Sequence, residues 1–325
     1  MVSERAARRC EAVNSRLAAL AEWLAAPGRV AGTVRTGAPM SRHTSLRVGG
    51  PADVLVVAES AADVATTVAA AAAAGVPFLT VGAGTNLLVS DAGVRGLVVL
   101  VGRGLADYRL DGHRLVAGAG TAVAKVARQL AAAGWGGLEF AIGIPGSVGG
   151  LVVMNAGTSS GEAGDVVSLV RTVDASGAEV VLERADLGYG YRASRLQRGD
   201  LVVVGAEFDL HRVNPADALA AAAAELAYRR RTQPLAWPNA GSIFRNPPGQ
   251  RAGRLLEAAG LKGRRIGGAE VSRRHANFII NTGGATAADV VALMTMMQQV
   301  VWDNAGIRLE PEIRLVGPEL PGVPA

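Results

Sequence analysis

Cysteine is nearly missing. Cys10 is the single one in 325 residues, so no disulfide can close within the chain and no cysteine cluster can hold a metal. Lysine is almost as scarce, confined to Lys125 and Lys262, and aromatic residues make up only 4% of the chain. The net charge of +5 therefore rests on arginine, without the aromatic-interleaved basic stripe of a nucleic-acid binder. No nucleic-acid partner, no obligate protein partner and no metal are expected. No apolar run reaches the ~18 residues that a membrane helix needs, so no membrane insertion is expected. The opening stretch "MVSERAARRCEAVNSRL" carries charges and no apolar centre; no secretory signal and a cytoplasmic location are the expectation.

What the chain does have is glycine. Among its 42 glycines three groups stand out, at Gly82 and Gly84, at Gly118 and Gly120, and between Gly143 and Gly150. Around the first cluster the pattern reads strand 53–57, helix after the Ser60/Asp63 cap, Gly75 as terminator, and strand 78–81. A dinucleotide fingerprint would open a helix directly after its glycine loop. Here 87–89 and 96–100 continue as strand, divided by the turn Asp91-Ala92-Gly93. The amides of Gly82, Ala83, Gly84, Thr85 and Asn86 can still form an anion-binding concavity, because glycine lets backbone approach a phosphate closely. The second and third clusters bracket a helix at about 121–133, and the loop 143–150 leads into a short helical turn. Two such loops suggest an extended diphosphate ligand contacted from both sides.

Farther on, 166–174 and 178–182 read as a hairpin and 201–210 as a strand, with the polar loop "LGYGYRASRLQ" between them. Helices are expected at about 216–231, 251–259 and 286–304, the last with the Thr286/Asp289 capping pair and Gly306 as its stop. Short strands are expected at 242–244 and 277–280. "GIRLEPEIRLVG" reads as a closing strand with Ile307, Leu309, Ile313 and Leu315 on one face, and Pro311 demanding an edge or a bulge. Ser242, in "NAGSIFRNP", has no neighbouring base and no nucleophile elbow. By local sequence it is turn chemistry, or a hydroxyl that does something other than attack.

These motifs, in this order, resemble the UDP-N-acetylenolpyruvoylglucosamine reductase family, flavoenzymes that make UDP-N-acetylmuramate for peptidoglycan. The resemblance runs over 41–316 through "TSLRVGGPAD", "VGAGTNLLVSDAGVRGLVV", "IPGSVGGLVVMNAG", "YGYRASRL", "NAGSIFRNP", "AGLKGRRIGGAEVSRRHANFIIN" and "LEPEIRLVG". The unbroken "RRRTQPLAWPNAGS" is similar to the shorter subclass. The resemblance implies an α+β fold: a two-part FAD-binding domain of the vanillyl-alcohol oxidase type over 38–213 (parts 38–101 and 102–213), then a smaller substrate-binding domain over 214–317. Residues 1–28 and 318–325 flank them.

It further implies non-covalent FAD, NADPH as co-substrate, and a nucleotide-sugar substrate. Arg192 then binds the substrate carboxylate, Ser242 donates the proton, and Glu312 is the third catalytic residue. Cofactor contacts are implied at Gly82, Ala83, Gly84, Thr85, Asn86 and Leu87, at Gly118, Ala119 and Gly120, at Ile144, Pro145, Gly146, Ser147, Gly149 and Gly150, and at Asn155, Ala156 and Gly157. Substrate contacts are implied at Tyr191, Asn246, Lys262 and His275. The rivals are an FAD-linked oxidase of the same fold and a nucleotide-binding module without catalysis.

Overall fold

The computed structural model describes residues 15–318 and 320. Cys10, with the rest of 1–14, and nearly all of the expected tail 318–325 lie outside the described residues. By contacts the chain forms two units, each gathered from separated stretches. One holds the residues up to Ala38, Ala52–Ala83 and Gly96–Ala224; the other holds Pro39–Pro51, Gly84–Arg95 and the chain from Glu225 onward. The sequence predicts 38–213 and 214–317 as consecutive domains. Contacts instead gather 39–51 and 84–95 with the C-terminal part.

The first unit contains two sheets. The four-stranded one has the order Thr33–Pro39, Pro51–Ala58, Val94–Val101, Phe78–Val81, with the last two parallel. The helix Ala61–Ala73 begins where expected, with Ser60 accepting the Asp63 amide at 3.0 Å. Asp63 does more than cap. Its carboxylate, only 4% exposed, also accepts the amides of Ala31, Gly32 and Glu59 at 2.9–3.0 Å. That clamp ties the edge strand Thr33–Pro39 to the helix. The strand and the helix over 15–25 were not foreseen, although Leu17, Leu20, Ala21 and Leu24 of the helix recur at helical spacing on its buried face. The second sheet is antiparallel, in the order Glu179–Glu183, Val167–Val173, Val202–Asp209, Arg114–Gly118, Tyr108–Asp111. The short helix Val148–Val153, entered from the third glycine cluster, packs on its central strands.

The second unit has one continuous core in which Ile243, Phe244, Leu256, Val271, Ile279, Val290, Leu293 and Met297 are fully buried. A three-stranded antiparallel sheet (Arg265–Ile266, Ala269–Val271, Ile279–Asn281) packs against the helix Ala287–Ala305. The Thr286/Asp289 capping box and Gly306 bound that helix as expected. Two strand expectations need correction. Ser242–Phe244 forms only an isolated bridge, Phe244 to Pro311. Of the closing strand, only Arg314–Val316 enters a ladder, parallel to Leu87–Val89. The bridge has the register in which the central pair exchanges no hydrogen bond, so Pro311's missing N–H goes unnoticed. Among the described residues no helix is long and apolar enough to cross a membrane.

Candidate active site

Ser242 is presented by a turn and then anchored. The Asn239 side chain accepts the Gly241 amide at 3.0 Å, and Gly241 takes φ +78°, which favours glycine. Immediately after Ser242 come two completely buried side chains, Ile243 and Phe244, each contributing about 1.5–3 kcal/mol of apolar burial. Asn277, 3% exposed, brackets them, accepting the Phe244 amide at 3.0 Å and donating to the Phe244 carbonyl at 2.8 Å. The Ser242 hydroxyl makes no hydrogen bond among the described residues and is partly accessible. Beside it runs the Glu310–Glu312 segment: the Glu312 amide donates to the Ile243 carbonyl at 2.7 Å, and the Arg245 amide to the Glu310 carbonyl at 2.9 Å. Asn86 joins the same place, its side chain donating to the Glu312 carbonyl at 3.2 Å and its own carbonyl accepting the Arg314 amide at 3.0 Å. Three stretches far apart in sequence thus meet: the end of the first glycine loop, the "NAGSIFRNP" motif and the "LEPE" motif.

The expected substrate contacts in this unit are partly occupied. Asn246 uses its Oδ1 to accept the Ala252 amide at 3.1 Å. Lys262 pairs with Glu257. His275 accepts the Asn277 amide on Nδ1 at 3.2 Å, which leaves the proton on Nε2, and meets the Phe278 ring edge-on. Burial, reinforced by the Lys262 ammonium and opposed by Glu257, holds the imidazole below its ordinary 6.5. An unfolded chain takes up that proton near 6.5, while the folded one resists it. Stability at this site is therefore full above 6.5 and falls as the pH drops below it. The melting-temperature advantage of wild type over His275→Gln should shrink between pH 7 and 5. An advantage that stayed constant with pH would show that the imidazole titrates normally.

In the first unit the "MNAG" and "YGYRASR" stretches interlock. Asn155 is fully buried at φ +42°. Its amide donates to Glu162 at 2.7 Å and to the Gly190 carbonyl at 2.9 Å, and its oxygen accepts the Gly164 amide at 2.8 Å. Arg192, also left-handed at φ +54°, donates to the carbonyls of Gly157 at 2.6 Å and Asn155 at 3.3 Å. The half-exposed Tyr191 ring lies 5.2 Å from its guanidinium carbon. Asn155, expected to touch the cofactor, has its side chain wholly engaged in building this loop.

The glycine clusters are stitched to one another. The Gly149 amide donates to the Ala119 carbonyl at 2.8 Å and the Val148 amide to the Thr121 carbonyl at 2.9 Å. A β-carbon on Gly82 would stand 2.6 Å from the Ser147 hydroxyl, and ones on Gly118 and Gly120 would strike the carbonyls of Leu105 and Gly102. Gly84, at φ +63°, would collide with the His43 carbonyl. Gly84, Gly118 and Gly120 are demanded by the protein's own backbone, so Gly84→Val disturbs residues 43–45 with or without a ligand. The cradle lies in the amides. Among the described residues those of Gly82, Ala83, Gly146 and Ser147, all in the first unit, make no main-chain hydrogen bond. Such unspent donors fit a diphosphate. Beside Gly118 a cavity of about 400 Å³ is lined by Ala61, Leu105, Asp107, Val116, Arg171 and Val204.

Sequence reasoning missed Asn277, Asp63 and Asp91 as organising residues. Asp91, read as a turn residue, caps the helix Ala287–Ala305 by accepting the amides of Ala287 and Ala288 at 2.8 and 2.9 Å. Only its type, a good capping side chain, was a usable signal.

Comparison with known proteins gives the chain's family and fold. A family model described as UDP-N-acetylenolpyruvoylglucosamine reductase, C-terminal domain, matches residues 233–316, and one described as FAD binding domain matches 52–183. The UDP-N-acetylenolpyruvoylglucosamine reductase of Heliobacterium modesticaldum is 48% identical over 281 residues, 86% of this chain and 89% of its own length. That of Geobacter sulfurreducens is 44% identical over 94% of this chain and all of its own length. The crystal structure of the Thermus caldophilus reductase superposes with a TM-score of 0.76 at 37% identity, covering 88% of this chain and 99% of that one.

Proposed function

The chain belongs to the UDP-N-acetylenolpyruvoylglucosamine reductase family, and from that membership we propose how its residues divide the reaction. It is an FAD-dependent oxidoreductase that reduces the enolpyruvyl group of UDP-N-acetylenolpyruvoylglucosamine, giving UDP-N-acetylmuramate for peptidoglycan. NADPH as reductant and a cytoplasmic location complete the reading. The unspent amides of Gly82, Ala83, Gly146 and Ser147 would hold the FAD diphosphate, with the second glycine cluster alongside. Bound there, FAD would supply the hydride chemistry that links NADPH to C3 of the enolpyruvyl group.

The protein has two tasks at the substrate. One is to hold the carboxylate and the charge that spreads onto it as the double bond is reduced; the other is to deliver a proton to C2. Arg192 does the first. A guanidinium meets a carboxylate through two parallel bonds, and the carbonyls of Asn155 and Gly157 pre-orient this one. Ser242 does the second. It needs no adjacent base, because it gives a proton and makes no covalent bond. Glu312 completes the set, its main chain tied to Ile243. Tyr191, Asn246, Lys262 and His275 are assigned to substrate contacts.

The observation that carries the reading is the crossing of the Ser242 and Glu312 segments. There a partly exposed serine, whose hydroxyl has no hydrogen-bond partner among the described residues, stands on a backbone that is buried and hydrogen-bonded on both sides. The test is spectroscopic. Purified protein should show flavin absorbance, bleach anaerobically with NADPH, and recover the oxidised spectrum on adding the enolpyruvyl nucleotide. Bleaching without recovery would leave a flavoprotein but sink the reductase reading.

A further inference from the structure

Arg192 stands in a conformation that its residue type resists. Gly190 and Ala193 exchange both main-chain hydrogen bonds, at 3.1 and 3.0 Å, so Tyr191 and Arg192 are the two central residues of a tight turn. Tyr191 keeps a negative φ while Arg192 takes φ +54°, the pattern of a type II turn, whose third position glycine or asparagine usually fills. Among the described residues only Arg47 and Asn155 share a positive φ without being glycine. A β-carbon makes that region costly, and the conformation persists only where the surroundings hold it. Gln197 is placed to hold it. The two hydrogens of its side-chain amide go to the Arg192 carbonyl at 3.0 Å and to the Val153 carbonyl at 3.2 Å. The Ser194 hydroxyl donates to the same Val153 carbonyl at 2.6 Å, and Leu196, 2% exposed, anchors the segment between them.

We infer that Gln197 is a positioning residue for the reduction, an inference that rests on the reductase reading, in which Arg192 receives the substrate carboxylate. By holding the Arg192 main chain left-handed, Gln197 fixes the direction from which the guanidinium approaches. The carbonyls of Asn155 and Gly157 then fix the guanidinium itself. Val153 ends the helix Val148–Val153, which starts at the third glycine cluster. Hanging the arginine from that helix end ties it to the stretch proposed to carry the cofactor. A misplacement of about 1 Å in such a frame costs on the order of 100-fold in rate. The task uses donors alone. A glutamate of the same length offers only acceptors to the two carbonyls, whereas a lysine ammonium can donate to both.

The test is anaerobic reoxidation of the reduced, FAD-loaded enzyme by the enolpyruvyl nucleotide. It compares wild type, Gln197→Glu, Gln197→Lys, Arg192→Ala and the double variant of Gln197→Glu with Arg192→Ala. Gln197→Glu should slow reoxidation about 10- to 100-fold, and Gln197→Lys should recover most of that rate. In the Arg192→Ala background the Gln197→Glu change should cost less than about 2-fold, because the group it positions is gone. Thermal melting of each variant separates a folding defect from a positioning defect. Equal losses with and without Arg192 would show that Gln197 does not act through the arginine, and the inference would be wrong. So would a Gln197→Glu enzyme that melts lower yet reoxidises as wild type does. Wild type that failed to reoxidise at all would bring down the reductase reading and this inference with it.

Discussion

Ser242→Ala should leave reduction of bound FAD by NADPH nearly unchanged, while reoxidation by the enolpyruvyl nucleotide slows by ~10²–10⁴-fold, the usual contribution of a positioned general acid. The asymmetry follows from the chemistry, because only the second half-reaction consumes the proton that C2 needs. Structure supports a clean experiment. The hydroxyl has no hydrogen-bond partner among the described residues, so its removal orphans no protein group, and the backbone is held by Ile243, Phe244 and Asn277. Melting temperature should stay close to wild type. Ser242→Cys should regain part of the rate, since a thiol is the stronger acid but larger and set at a different distance. Stopped-flow traces of the two half-reactions decide the matter. Equal slowing of both would remove Ser242 from the proton-donor role.

The largest stability effect is expected at Asn155. Its fully buried amide makes three hydrogen bonds, to Glu162, Gly190 and Gly164. Asn155→Ala leaves the Gly164 amide without its acceptor and the Glu162 carboxylate and Gly190 carbonyl each one bond short, and it puts alanine, less tolerant of the left-handed region than asparagine, at φ +42°. Together these should cost about 3–5 kcal/mol, the upper end for a single substitution. Asn155→Gly relieves the backbone strain but restores no hydrogen bond, so it should recover only the smaller share. The effect should reach function as well. Arg192 is oriented by the carbonyls of Asn155 and Gly157, and a loosened "MNAG" loop should raise KM for the enolpyruvyl nucleotide in whatever protein still folds. Melting curves within a degree or two of wild type would show that the loop is held by something else.

Much of the local structure was legible because its causes are local. The strands Phe78–Val81 and Leu87–Val89 fall at their expected bounds. The helix Ala287–Ala305 begins at the Thr286/Asp289 box and stops at Gly306. Capping side chains, terminating glycines and hydrophobic period act within a few residues, so a sequence states them directly. The site residues were legible in another way, as motifs whose roles followed from a family resemblance and not from local chemistry. Taken alone, Ser242 read as an ordinary turn residue.

What only the tertiary structure decided are the long-range partners. Nothing near Asp91 shows that its carboxylate caps a helix 196 residues later, or that Asp63 gathers amides from Ala31, Gly32 and Glu59. The expected strand 242–244 is a single bridge to Pro311, and on its other side the Asn277 side chain, not a strand, takes up the hydrogen bonds of Phe244. The glycines at 84, 118 and 120 were read as room for a ligand, yet the carbonyls of His43, Leu105 and Gly102 are what exclude a side chain there. A main-chain donor or acceptor looks the same at every position of a sequence. Which groups it meets is settled when distant segments pack, and in this chain that packing brings Asn86, Ser242 and Glu312 together.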